Sequence, residues 1–226
     1  MNSTILMKTA IAFLLTLLVV IVPGYAQSQY LSADDSDREA VDLLTAAARK
    51  FTEKPSQVRF VLKISYPGQE KMVSDGTLYQ SGKAYHLDLK EYAIFSDGTT
   101  RWVYLKGPNE INIYNESNGQ DWISPQDFLL LHTSDELVLT LIGERPDGIT
   151  IIEAKPLEGR FDYYSKFTIG VEQGQLKFIH ALSSDGSRQE MSISRVIFPE
   201  QLDTQKLFSF QKENYPGVYV EDLRLD

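Results

Sequence analysis

The chain contains no cysteine. A disulfide framework is excluded, so the folded part has to stand on its own apolar core. No thiol is available for lipid attachment behind a leader either. Histidine is nearly as scarce. His86, His132 and His180 are the three present, far apart, and none has a second His or Cys at ligand spacing. No G-x-S-x-G elbow, P-loop or G-x-G-x-x-G occurs. Asp34, Asp35 and Asp37 lack the glycine and distal glutamate of a calcium loop, and read as a solvated leader. The pair Glu221-Asp222 could serve acid–base chemistry, but carboxylates are plentiful and nothing singles these out. The sequence therefore points to no metal, no cofactor and no catalytic centre. Positive charge is the minority sign: 22 Lys and Arg against 31 Asp and Glu, a net charge of −9. That argues against nucleic acid and against an anionic membrane surface as partners. No repeat of fixed period is present.

The one long apolar run lies at the start. Ala10 to Val22 is broken only by Thr16, follows Lys8, and ends in Pro23-Gly24-Tyr25-Ala26. A charged n-region, an apolar h-region and a small-x-small site together predict a signal peptide over residues 1–26, cleaved after Ala26. The run is short of the roughly 20 residues a membrane span needs. The expectation is an exported protein of the bacterial periplasm. Residues 27–36 read as a flexible acidic leader, and residues 37–226 as one domain, a size that suits one core.

The periodicity then changes twice. Ser36 or Asp37 can cap a helix whose apolar residues recur at Ala40, Val41, Leu44, Ala47, Ala48 and Phe51, with Pro55 ending it. After Pro55 the period is two. Val58, Phe60, Leu62, Ile64 and Tyr66 alternate with Arg59, Lys63 and Ser65, and similar segments follow to Tyr114 and again from Ile149 onwards. Asp-Gly recurs at 75–76, 97–98, 147–148 and 185–186, supplying the positive φ of tight turns. Between the two β blocks, Ser124-Pro125-Gln126-Asp127 reads as a helix start followed by Phe128-Leu129-Leu130-Leu131, with a second short turn expected over Leu137 to Ile142. A short helix that is apolar on every side has to be covered on two faces. Leu207 to Phe210 reads as a short strand. Trp102, Trp122 and the 12 tyrosines read as strand and core residues rather than a sugar platform.

The resulting fold class is mainly β (α+β): a meandering antiparallel sheet, strongly curved or closed part-way into a barrel, with an N-terminal helix and short lid helices. Such a sheet with an excess of apolar positions can enclose a ligand cavity. Each buried CH₂ contributes about 0.8 kcal/mol, so one long acyl chain gives substantial affinity.

Three stretches resemble a known family. The first is Asp75-Gly76-Thr77-Leu78-Tyr79, with Gly82-Lys83-Ala84-Tyr85 and Ser96-Asp97-Gly98-Thr99-Thr100-Arg101-Trp102-Val103-Tyr104. The second is Lys166-Phe167-Thr168-Ile169 with the Ser184-Asp185-Gly186 turn. The third is Pro216-Gly217-Val218-Tyr219-Val220-Glu221-Asp222-Leu223-Arg224. In order and spacing they resemble LolA, the periplasmic carrier of outer-membrane lipoproteins, in its Bacteroidetes-like form. The resemblance implies an unclosed β-barrel lidded by helices and no enzyme activity. It implies a monomer that binds lipoproteins through their acyl chains. It implies as partner an inner-membrane ABC-type complex that releases lipoproteins to it. Cavity residues on this reading are Phe60, Leu62, Ile64, Leu78, Tyr85, Leu87, Trp102 and Tyr104, covered by Phe128, Leu129 and Leu131. The family's Arg-Pro pair, whose Arg latches the lid, is missing: Gly82 and Lys83 stand there, leaving Arg59 or Lys83 as substitutes. Three other readings remain: a lipid- or lipoprotein-binding sensor of the same fold, a hydrolase with convergent carboxylates, and a structural β domain without ligand.

Overall fold

A computed structural model of the chain describes residues 32–116, 134–157 and 161–224. Helix α1 (Arg38–Glu53) buries Ala40, Leu44, Ala47, Ala48 and Phe51, the stripe that the helical spacing requires. Twelve strands form one sheet: β1 (Ser56–Ser65), β2 (Met72–Ser81), β3 (Ala84–Leu89), β4 (Tyr92–Ser96), β5 (Thr100–Leu105), β6 (Glu110–Asn115), β7 (Leu137–Glu144), β8 (Thr150–Pro156), β9 (Tyr164–Glu172), β10 (Gln175–Ser183), β11 (Arg188–Ile197) and β12 (Tyr219–Asp222). Their spatial order is β12-β6-β5-β4-β3-β2-β1-β11-β10-β9-β8-β7. Two antiparallel meanders, β1–β6 and β7–β11, are joined where β1 pairs with β11. Among the described strands, only β12, beside β6, is parallel to its neighbour. The edges β12 and β7 do not pair with each other, so the barrel is unclosed. One apolar cluster combines α1 with residues from β1 to β4 and from β7 to β10, so both meanders bend around the helix.

Past β11 the chain runs from one face to the other. Phe198 packs on Phe51 of α1, ring centroids 5.3 Å apart. The short helix α2 (Thr204–Leu207) follows, and Phe208 behind it is buried. Phe210 and Tyr215 then lie against Phe95 on the outer face, at 6.2 and 6.4 Å.

Several local expectations are corrected. Asp75-Gly76 lies inside β2 rather than at a turn. The glycine is there because the Phe60 ring occupies its side-chain space: an added Cβ would stand 2.3 Å from Phe60 Cζ. The turn itself uses Gly68 (φ 74°). The other three Asp-Gly pairs do sit between strands, with φ of 88°, 82° and 85° at Gly98, Gly148 and Gly186. Leu137 to Ile142 belongs to β7 and is not helical; a short apolar run carries no periodicity that separates the two. Leu207 ends a helical turn instead of starting a strand. The end of the leader is also held in place. Ser32 and Asp35 form a reciprocal capping box around the 3₁₀ turn Ala33–Asp35. Asp37 stands at the start of α1 but does not cap it: its Oδ2 accepts from the Leu141 N–H at 2.8 Å, while Ser36 Oγ accepts from the Leu139 N–H at 3.0 Å. The leader thus covers part of the β7 edge.

Candidate functional site

The pairing register defines two rows of side chains across the inner, helix-bearing face. One runs Val103, Ile94, Leu87, Leu78, Val58, Val196. The other runs Leu62, Met191, Ile179, Ile169, Ile152, Leu141. Both arise from alternation within the strands, which puts every second residue on one face; on β11 a bulge at Ser194 resets the phase, so that Val196 and Met191 face the same way.

This face has two unlike ends. At the floor end, where α1 finishes, a polar row crosses the sheet: Ser56, Gln80, Tyr85, Ser96, Arg101, Tyr114. Gln80 Nε2 donates to the Phe51 carbonyl at 2.9 Å, which gives one of the last carbonyls of α1 a donor. Glu116 accepts from Ser96 Oγ at 2.8 Å and from Tyr85 Oη at 3.2 Å. Arg101, 6% exposed, sits 4.0 Å from Glu116 and stacks over the Tyr114 ring at 5.1 Å. A carboxylate and a guanidinium are tolerated here because each is met by polar or aromatic groups.

Toward the opposite end the inner face opens. On β1, Val58 and Phe60 are buried, whereas Leu62 and Ile64 are half-buried. On β2, Leu78 is buried and Met72, opposite Ile64, is 52% exposed. Tyr66 is exposed just past the end of β1, and Val73, opposite Lys63, is exposed on the outer face. Tyr92 and Tyr164 lie half-buried at the same end. Burial raises the pKa of the Tyr92 hydroxyl, and neighbouring Tyr66 adds to the rise. Tyr164 is raised by burial too, against a hydrogen bond from Gln189. The face is thus covered by the core near Val58, Phe60 and Leu78 and meets water only at a rim lined by Tyr66, Met72 and Tyr92.

Of the residues expected to line a cavity, Phe60, Leu62, Ile64, Leu78, Tyr85 and Leu87 share this inner face. Trp102 and Tyr104 do not. Trp102 pairs with Phe95 and Tyr104 with Ala93, which puts both on the outer face. There they belong to an aromatic layer: His86 stacks on Phe95 at 4.2 Å and near Tyr79 at 5.8 Å, and Tyr215 closes over Tyr104 at 4.6 Å. The apolar residues of β5 alternate with other large residues, so the sequence pattern did not say which face was inner. Phe128, Leu129, Leu131 and His132 lie outside the described residues. Arg59 is exposed on the outer face, and Lys83 is exposed in the floor-end turn, so neither points inward. The inward arginine is Arg101, between Ser96 and Tyr114, hidden in the sequence inside the same Ser-Asp-Gly…Trp stretch. The residues of β8 to β11 that complete the face, Ile152, Ile169, Ile179 and Met191, were also legible only as alternation.

Burial brings the pKa of His86 down to about 4, so it is neutral at pH 7. His180 is lowered by burial as well, opposed by Glu190. Asp222 is held down to about 2 by its hydrogen bonds from Arg224. Among the described residues, no group of three or more His, Asp or Glu side chains is placed to hold a metal. Among them too, no helix is long and apolar enough to cross a membrane.

Fold and site together define a class: among the described residues, a twelve-stranded, unclosed, mainly antiparallel sheet packed on the helix α1, with a partly open apolar inner face. A conserved, uncharacterized protein from Thermus thermophilus shares the fold, with a TM-score of 0.53 at 10% identity over 82% of this chain and 99% of the other. Lower-scoring likenesses include a DUF1329 family protein from Desulfovibrio piger (TM-score 0.47, 16% identity, 78% and 98% covered) and a LolA superfamily protein from Nitrosomonas europaea (TM-score 0.45, 15% identity, 76% and 97% covered). No family model matches the sequence, and no curated protein does.

Proposed function

We propose that this chain is an exported carrier of the periplasm, not an enzyme, that holds lipoprotein acyl chains on its inner face and moves them from the inner towards the outer membrane. The observation that carries the reading is the graded inner face: unbroken apolar rows that are buried near Val58 and Leu78 and half-exposed at Leu62, Ile64 and Met72. A solid core has no reason to leave that end uncovered, whereas a carrier must admit and release its cargo. The resemblance in the sequence supplies the cargo and the donor, an inner-membrane ABC-type complex; cleavage of the signal near Ala26 would leave the carrier free to diffuse.

The test is an acyl-chain binding assay on Leu62→Glu. A charge at this half-buried position stays close to water, so the fold tolerates it, while a chain lying over it would have to desolvate a carboxylate. Binding should fall sharply with circular dichroism unchanged. Undiminished binding by a folded variant would falsify the assignment. A wild-type protein that binds no acyl chain would instead be a structural β domain.

A further inference from the structure

We propose that Met72 is a reversible oxidation site: conversion of its thioether to the sulfoxide turns the rim of the inner face polar and weakens its hold on an acyl chain. This rests on the acyl-binding reading above and adds a regulation to it.

The placement of sulfur carries the inference. The chain has four methionines and no cysteine. Met1 and Met7 lie in the proposed signal segment, so the exported protein keeps two sulfur atoms, those of Met72 and Met191. Both fall on the inner face, and they flank β1 from either side. Met72 on β2 stands opposite Ile64, and Met191 on β11 stands opposite Leu62. They border the two half-buried residues where the face opens. Met72 is 52% exposed, whereas Met191 is half-buried against the apolar cluster. On an ordinary stretch of surface an added oxygen would point into water and change little. At Met72 it enters the row that an acyl chain would contact.

The step balances with a peroxide as the oxidant. A sulfur lone pair attacks one peroxide oxygen, and the S–O bond forms as the O–O bond breaks. The departing hydroxide takes the proton from the transferred oxygen and leaves as water. Sulfur loses an electron pair and the peroxide gains it. The product is a polar side chain in place of a flexible apolar one, and a sulfoxide reductase reverses the change. Susceptibility follows exposure, so Met72 reacts before Met191. A chain laid over the sulfoxide strips its oxygen of water and offers no donor in return.

The lack of cysteine makes the test direct: no thiol competes for peroxide, and the reductant that drives the reductase meets no disulfide. The exported protein is oxidised stepwise with hydrogen peroxide, and peptide mass spectrometry locates each added oxygen. Fatty-acid affinity is measured at each step by equilibrium dialysis, and circular dichroism follows the fold. The first oxygen should appear on Met72 and weaken binding about tenfold, within the range for desolvating one unpaired polar group. The fold should be unchanged, and reductase treatment should restore the affinity. Met72→Leu keeps an apolar side chain without sulfur; whatever its starting affinity, that affinity should hold through the same treatment. A first oxygen on Met191, an unaltered affinity in the Met72 sulfoxide, or a Met72→Leu variant that loses affinity in step with the wild type each overturns the switch. The carrier reading survives those outcomes, since the untreated protein still binds. An untreated protein that binds no fatty acid overturns the carrier reading and the switch with it.

Discussion

At the scale of single residues, glycine and histidine show how neighbours decide identity. Gly76 needs no unusual φ; it needs the absence of a side chain, because Phe60 Cζ would stand 2.3 Å and Leu89 Cδ2 2.8 Å from a Cβ. Gly170 does the same under the Phe178 ring, again at 2.3 Å. Gly76→Ala should lower stability by about 1–3 kcal/mol, the usual cost of overpacking. Adding Phe60→Leu should recover part of it; denaturant unfolding of the single and double variants measures both. His86 sets a pH dependence. Its folded pKa, about 4, lies below the unfolded 6.5 because burial disfavours the charged form. Between those values the unfolded chain binds a proton that the folded one refuses. The contribution of His86 is therefore fully present above pH 6.5 and is lost as pH falls toward 4, on the order of 3 kcal/mol in all. His86→Phe keeps the ring stack and should flatten thermal stability across that window. An unchanged slope would show that other groups dominate it.

At the scale of elements, two junctions matter most. The C-terminus of α1 is tied to the sheet by Gln80 and by the Phe51–Phe198 ring contact. Phe51→Ala should cost about 3–5 kcal/mol, as truncations of buried aromatics do. Gln80→Ala should cost about 1–3 kcal/mol by leaving a buried carbonyl without its donor. The second junction is the β7 edge, whose Leu139 and Leu141 N–H groups are taken up by Ser36 and Asp37. An uncovered edge strand invites pairing with another chain. The Ser36→Ala, Asp37→Ala double variant should therefore self-associate at high concentration, which light scattering detects. This edge cover could not be read from the sequence: Ser36 and Asp37 look like helix caps, and only the position of β7 gives them another use.

At the scale of the whole molecule, the last strap of chain joins the two faces of the sheet. Phe198 packs inside, Phe208 is buried behind α2, and Phe210 and Tyr215 pack outside. Ending the chain after Ile197 should expose Phe95, Trp102 and Tyr104, lower Tm and raise binding of a hydrophobic dye. If Tm holds, the outer layer is dispensable. The strap also explains why Trp102 and Tyr104 looked like ligand residues. Aromatics alternating in a strand mark a covered face, but a sheet covered on both sides has two such faces.

The sequence by itself determined the helix, the alternating strands, most of the turns and the overall β class, because propensity, period and glycine conformation are local. It also excluded cysteine chemistry, since the chain has none. Only the tertiary structure decided which face is inner, since alternation is symmetric until a helix is laid on one side. It decided that Asp75-Gly76 is strand, that Leu137 to Ile142 is an edge, and that Arg101 faces inward while Arg59 and Lys83 do not. Each of these depends on a partner distant in the chain, and local spacing carries no record of it.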